Sequence, residues 1–149
     1  MMKKILLLLA AFMLLVTISC RGGDDNEAIN PIVGKWAMQK YSYSYVQNGQ
    51  TITEEDIANA CERKSTVEFR ADNKGTDISY SDDSGTCVLE SQSEFTYSYN
   101  QSTGMLTISS PDGTESVKVE SLTNSEMVLS YETTEAGFPL TIKITVRKV

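Results

Sequence analysis

Three kinds of side chain here carry chemistry: the cysteines Cys20, Cys61 and Cys87, a Tyr-rich aromatic set with seven Tyr against four Phe, and a carboxylate run, Glu54-Glu55-Asp56. The chain has no His. That removes the Ser-His-Asp and Cys-His nucleophile systems and every His-ligated metal site. A cysteine nucleophile would lack its base. Thirteen Lys plus Arg against 20 Asp plus Glu give a net charge of −7 and a pI near 4.6. Such a chain does not broadly neutralise phosphates, so nucleic acid is not an expected partner. Only carboxylates remain for acid–base work, and Glu54-Glu55-Asp56 fits the solvated face of a helical turn. The reading is therefore no enzyme, no cofactor and no metal. Asp72-Asn73-Lys74-Gly75 and Asp82-Asp83-Ser84-Gly85 have turn composition and lack the spacing and closing Glu of a calcium loop.

The first cysteine is explained by what precedes it. Met1-Met2-Lys3-Lys4 is a short basic segment, and Ile5 to Ile18 is an apolar run of 14 residues. A spanning helix needs about 20, so the pattern is that of an export signal. The run ends Val16-Thr17-Ile18-Ser19-Cys20, which resembles the lipobox of bacterial lipoproteins, with Thr17 departing from the usual Leu. The resemblance implies cleavage before Cys20 and lipidation of its thiol, with several acyl chains (palmitate among them) holding the protein on a membrane. One chain alone anchors marginally, since each buried CH₂ contributes about 0.8 kcal/mol. Residues 1–19 are then a signal peptide, and 20–31 an acidic, Gly- and Pro-containing tether. The acids after Cys20 resemble the surface-export signals of some Gram-negative lipoproteins and equally suit a solvated linker. Loss of Lys3 and Lys4 takes the charge from −7 to −9, which keeps the domain off an anionic surface. The expected location is the bacterial cell envelope, most simply the outer membrane.

With Cys20 committed to lipid, Cys61 and Cys87 form an even remainder in an exported protein, the arithmetic of one disulfide. The alternative is two separate buried thiols. Closing a loop across 26 positions is worth about 3.5 kcal/mol in the chain-entropy model.

These residues must be placed by strands. From Val33 onward apolar residues alternate and turn residues punctuate them. Trp36 and Met38 alternate, then Tyr41, Tyr43 and Tyr45; the parity slip at Lys40 predicts a bulge. Asn48-Gly49 is a hairpin signal. Thr53 to Cys61 predicts one or two helical turns, with Thr53 as cap and acids in the first turn. Further alternations fall on Val67/Phe69, Ile78/Tyr80, Phe95/Tyr97/Tyr99, Leu106/Ile108, Val117/Val119, Met127/Leu129/Tyr131 and Leu140 to Val146. The fold class is all-β. About eight sequential antiparallel strands avoid free edges by closing into an up-and-down barrel.

Ile32-Val33-Gly34-Lys35-Trp36 carries the Gly-x-Trp pattern that opens the first strand of lipocalins. With the cysteine pair, the strand count and the lipobox, residues 32–149 resemble the lipocalin-like domain of small Gram-negative lipoproteins. The resemblance implies a barrel closed at one end by Gly34 and Trp36, with Trp36 packed against the last strand. It also implies a cationic side chain, Arg147 or Lys148, over the Trp ring.

The function expected is binding of a small apolar or amphipathic ligand inside the barrel. Tyr41, Tyr43, Tyr45, Tyr97, Tyr99 and Tyr131 are the candidate lining residues, each a ring plus an orienting hydroxyl. The alternative is a structural or protein-interaction lipoprotein whose barrel is filled by its own side chains. The sequence names neither a ligand nor a protein partner.

Overall fold

The computed structural model describes residues 30–82 and 85–149. The export segment, Cys20 and the tether as far as Ile29 lie outside the described residues, as do Asp83 and Ser84.

The strands are β1 (Gly34–Gln47), β2 (Gln50–Ile57), β3 (Thr66–Phe69), β4 (Lys74–Ser81), β5 (Val88–Asn100), β6 (Met105–Ser110), β7 (Gly113–Leu122), β8 (Glu126–Glu135) and β9 (Phe138–Lys148). All pairings are antiparallel, β3 to β9 pair in chain order, β1 pairs both β2 and β3, and β9 returns to β1. β1 and β3 to β9 thus close an eight-stranded barrel, the predicted class. The ninth strand, β2, shares one edge of β1 with β3. The lower half of β1 pairs β3 (Gly34↔Phe69 to Ala37↔Thr66), and the upper half pairs β2 (Lys40↔Ile57 to Gln47↔Gln50).

β2 corrects the helix expected over Thr53 to Cys61. Asn48 and Gly49 take φ of 52° and 78°, the left-handed pair of a tight hairpin turn. That turn folds the chain straight back on β1, where eight residues find cross-strand partners. An isolated helix of two turns is marginal in water, so the ladder wins. Lys40 and Glu55 form an ion pair at 2.7 Å across the strands, and Ser44 and Thr53 hydroxyls meet at 2.9 Å. Helical geometry survives only as a 3-10 turn, Glu62–Lys64. There the Asn59 side chain accepts from the N–H of Cys61 and Glu62, and the Glu62 carboxylate accepts from the N–H of Asn59.

The predicted bulge lies between Met38 and Lys40. It keeps Trp36, Met38, Tyr41, Tyr43 and Tyr45 all on the inner face, as register shows: Met38 faces Val146, Tyr41 faces Ile144, Tyr43 faces Ile142. Directly paired residues share a face, so Phe95/Tyr97/Tyr99 and Met127/Leu129/Tyr131 also point inward. The Ile78/Tyr80 alternation faces outward, because Gly75 and Asp77 hold the inner positions opposite Phe69 and Val67. The 3-10 turn Glu62–Lys64 contacts β1 and β4, and Ala58 and Cys61 just before it are buried.

The core gathers at one end. Ile32, Trp36, Leu106 and Met127 are wholly inaccessible, with Phe69, Phe95, Tyr97, Leu129 and Val146 around them. Phe69 stands edge-on to Phe95 (5.5 Å) and Tyr97 (4.9 Å), a geometry favoured by the ring quadrupoles. A Cβ at Gly75 would overlap the Phe95 ring, so that glycine makes room for the triad.

Candidate functional site

The closed end is built around Trp36. Its Nε1–H donates to the Ile32 carbonyl at 2.9 Å, which folds the segment from Asn30 to Val33 beneath the barrel. Of the two expected cations, Lys148 covers the ring, with Nζ 5.2 Å from the ring centroid. It also donates to the Val33 carbonyl at 3.0 Å. Arg147 pairs with Ala37 on the outer face. Gly34 has φ of 142°, and a Cβ there would overlap the Lys148 Cε. Gly34 and Trp36 together therefore form the floor.

Above the floor the inner face changes character. Tyr41, Tyr43, Tyr131, Ile142 and Ile144 point inward yet remain partly accessible. These partly accessible side chains line the upper interior, the cup, above the packed core. Tyr41 and Tyr43 lie with rings 6.3 Å apart and nearly parallel. At the mouth an apolar cleft of about 340 Å³ is lined by Tyr45, Val46, Phe138, Pro139 and Leu140, among others. A larger hollow, about 480 Å³, lies on the outer surface among Lys40, Glu55, Arg63, Glu126 and Lys143; its lining is charged and solvated, and it does not connect the tyrosines.

The six candidate tyrosines thus separate by height. Tyr97 is buried in the floor, its hydroxyl donating to the Arg70 carbonyl at 2.7 Å. Tyr99 packs against the same core opposite Leu106. Tyr41, Tyr43 and Tyr131 form the cup wall. Tyr45 stands at the rim and donates to Glu54 at 3.1 Å. Burial raises the pKa of Tyr41, and the neighbouring Tyr43, Glu62, Tyr131 and Asp77 raise it further. Burial does the same for Tyr131, with Tyr43 and Glu115 adding to it. Tyr41 and Tyr131 are therefore neutral donors at physiological pH.

Cys61 and Cys87 are bonded, with Cα atoms 5.4 Å apart. The bond straps the β2–β3 connection to the start of β5. Glu54, Glu55 and Asp56 are exposed on a strand, with Glu54 accepting from Tyr45 and Glu55 paired with Lys40. No group of three or more metal-ligating side chains occurs among the described residues.

One inner residue escaped the sequence reading: Asp77. It sits between Gly75 and Ser79, and Ile78 and Tyr80 draw attention to the opposite face. The available signal was the small-residue parity, since Gly and Ser flanking a carboxylate leave space beside it. Burial raises the pKa of Asp77 above the ordinary carboxylate value, and no described side chain hydrogen-bonds or ion-pairs with it. A raised folded-state pKa means that the folded protein holds this proton more tightly than the unfolded chain does. The stability this contributes is fully present below the unfolded pKa, near 4, and is lost as pH rises through the folded value. Asp77→Asn is therefore expected to melt higher than wild type at pH 7 and alongside it below about pH 4. Thermal melts across that range check this.

A sequence profile described as the lipocalin-like domain matches residues 32–129. The chain belongs to this lipocalin-like family. No functionally curated protein matches the sequence. Among solved structures, the bovine lipocalin allergen Bos d 2 is 14% identical, with 81% of this chain and 76% of that one covered and a TM-score of 0.45. The bovine odorant-binding protein in complex with undecanal is 11% identical, with 79% and 71% covered and a TM-score of 0.44. A Bacteroides ovatus protein is 13% identical, with 77% and 41% covered and a TM-score of 0.36. None of the three bears on what the lipocalin-like domain described here holds. Its geometry is a floor of Gly34, Trp36 and Lys148 with partly accessible inward tyrosines above it.

Proposed function

We propose that this chain is a membrane-anchored, non-enzymatic binding lipoprotein that holds a small apolar or amphipathic molecule in the open half of its barrel. The observation that supports this is the contrast along the inner face. Trp36, Phe69, Phe95, Tyr97, Leu106 and Met127 are buried against one another, whereas Tyr41, Tyr43, Tyr131 and Ile142 higher on the inner face stay partly accessible. A barrel filled by its own residues would bury both halves. The tyrosine hydroxyls give an otherwise apolar wall the few orienting groups that small-molecule sites use.

Titration with a fluorescent fatty-acid analogue, and with a panel of uncharged apolar probes, tests the reading. Saturable binding is expected, weakened about tenfold by Tyr131→Ala, the loss of one buried aromatic contact. Tyr97→Ala would be a poorer test, because that ring and its bond to Arg70 belong to the floor. A barrel that takes up none of the panel is instead a filled interaction module, with its acidic exterior as the surface to survey for a protein partner.

The anchoring half of the proposal rests on the sequence before the barrel. Cys20 as lipid acceptor, residues 20–31 as tether, and the outer membrane of the cell envelope as location follow from the lipobox-like Ser19-Cys20 and the short apolar run. Cys20→Ala is expected to accumulate as an unlipidated precursor. Labelling cells with a clickable palmitate analogue reads this directly, and label retained on the variant would overturn it.

A further inference from the structure

Strand register sorts the charges of this barrel by face. Among the described strand residues, Lys35, Lys40, Lys74, Lys118, Lys143 and Arg147 all occupy outward positions. The single inward cation is Lys148, at the closed end and already engaged by the Trp36 ring and the Val33 carbonyl. Carboxylates are distributed otherwise. Asp77 pairs with Val67 and Ser93 on the inner face, and Glu115 pairs with inward Ile108. Glu54 and Asp56 pair with Tyr43 and Tyr41 and so continue the same face onto β2.

We propose that the cup's ligand is an amphipathic cation: a primary amine or quaternary ammonium carrying an apolar body. This rests on the cup reading and narrows it to a ligand class. A carboxylate that is partly withdrawn from water is costly unless a counter-charge reaches it, and Asp77, half-buried on the inner face, has no described side chain as partner. An ammonium group would supply that counter-charge. The Tyr41, Tyr43 and Tyr131 rings lie on the same inner face, and the faces of aromatic rings attract cations. Ile142, Leu140 and the apolar cleft at the mouth then accept the body of the ligand. An anionic lipid would meet Asp77 and Glu115 with no free inward cation to offset them. The net charge of −7 favours approach of cations over anions.

The test uses the full chain in nanodiscs of zwitterionic lipid, with empty nanodiscs as reference, and three probes that differ only in the head group: octyltrimethylammonium, octanol and octanoate. Calorimetric titration is expected to rank the ammonium about tenfold tighter than the alcohol, with octanoate weakest. Asp77→Asn should bring the ammonium to within about twofold of octanol by weakening the ammonium far more than the alcohol, a split that a general loss of structure would not produce. Tyr131→Phe should keep the preference and Tyr131→Leu should lose it, which carries the test should the Asp77 variant fail to fold. Equal affinity for ammonium and alcohol, or preference for octanoate, overturns the cationic class and leaves the cup standing. Binding of none of the three overturns both.

Discussion

Trp36→Ala is expected to lower the melting temperature by roughly 10–25 °C, the largest effect of any single substitution in this chain. The ring is wholly inaccessible and lies where Ile32, Phe69 and Val146 meet. Truncating a core aromatic costs about 3–5 kcal/mol in lost transfer energy and residual cavity. Three further losses are specific to this site. The Ile32 carbonyl loses the donor that holds it at 2.9 Å, Lys148 loses the ring beneath its ammonium, and the segment beneath the barrel loses what it closes against. Against the roughly 5–15 kcal/mol stability of an ordinary domain, this approaches unfolding. Trp36→Phe separates the contributions: it keeps a ring in the floor and gives up the N–H bond, a cost of about 1 kcal/mol for the bond itself. Calorimetric melts of the two variants beside wild type are the measurement. An alanine variant melting within a degree or two of wild type would show that the barrel closes without its floor.

Removal of the Cys61–Cys87 bond is expected to cost about 3.5 kcal/mol, from the 26-position loop it closes in the unfolded chain. The double variant Cys61→Ser/Cys87→Ser is the cleaner form, since it leaves no lone thiol to form mixed disulfides. The loss should also be uneven in space. β2 pairs with β1 along one edge only, and the bond ties the chain just beyond β2 to the start of β5. Without it, β2 and the 58–64 segment have fewer ties to the barrel, whereas the Trp36 floor keeps all of its contacts. Hydrogen exchange is therefore expected to accelerate at Thr51–Ile57 well before it does at Leu106 or Met127. Uniform acceleration would mean that the bond acts on the unfolded state alone, and an unchanged melting temperature would remove its stabilising role.

Much of this fold was legible because strand periodicity is local. Alternation of apolar residues marks one face of a strand whatever it later pairs with. The inward sets on β1, β5 and β8, the bulge before Lys40 and the Asn48-Gly49 turn could all be placed from neighbouring residues. The disulfide followed from counting, and Trp36 from a short motif next to its strand. The helix expected over Thr53 to Cys61 is instead strand as far as Ile57, for a reason equally physical. A Thr cap followed by acids is a local helix signal, but the tight turn brings this segment against the unpaired upper edge of β1. There the ladder partners from Lys40 to Gln47 outweigh local preference.

The candidate site divides along the same line. Parity alone groups Tyr41 with Tyr43 and Tyr131 with Met127 and Leu129, and the apolar content of those faces marks them as the inner ones. The separation of the tyrosines into floor and wall was not readable, since height in a barrel depends on strand tilt and on which rungs align, and Tyr97 and Tyr131 look alike in sequence. Asp77 was invisible for the related reason that its strand has two plausible faces. The apolar one, Ile78 and Tyr80, turns outward because register places Gly75 and Asp77 opposite inward Phe69 and Val67. Only register across β3, β4 and β5 put a carboxylate inside the cup and the lysines outside it. Period and composition are set by nearest neighbours in the chain and could be read there; which face becomes the inside, and how deep each residue lies, is set by partners tens of residues away.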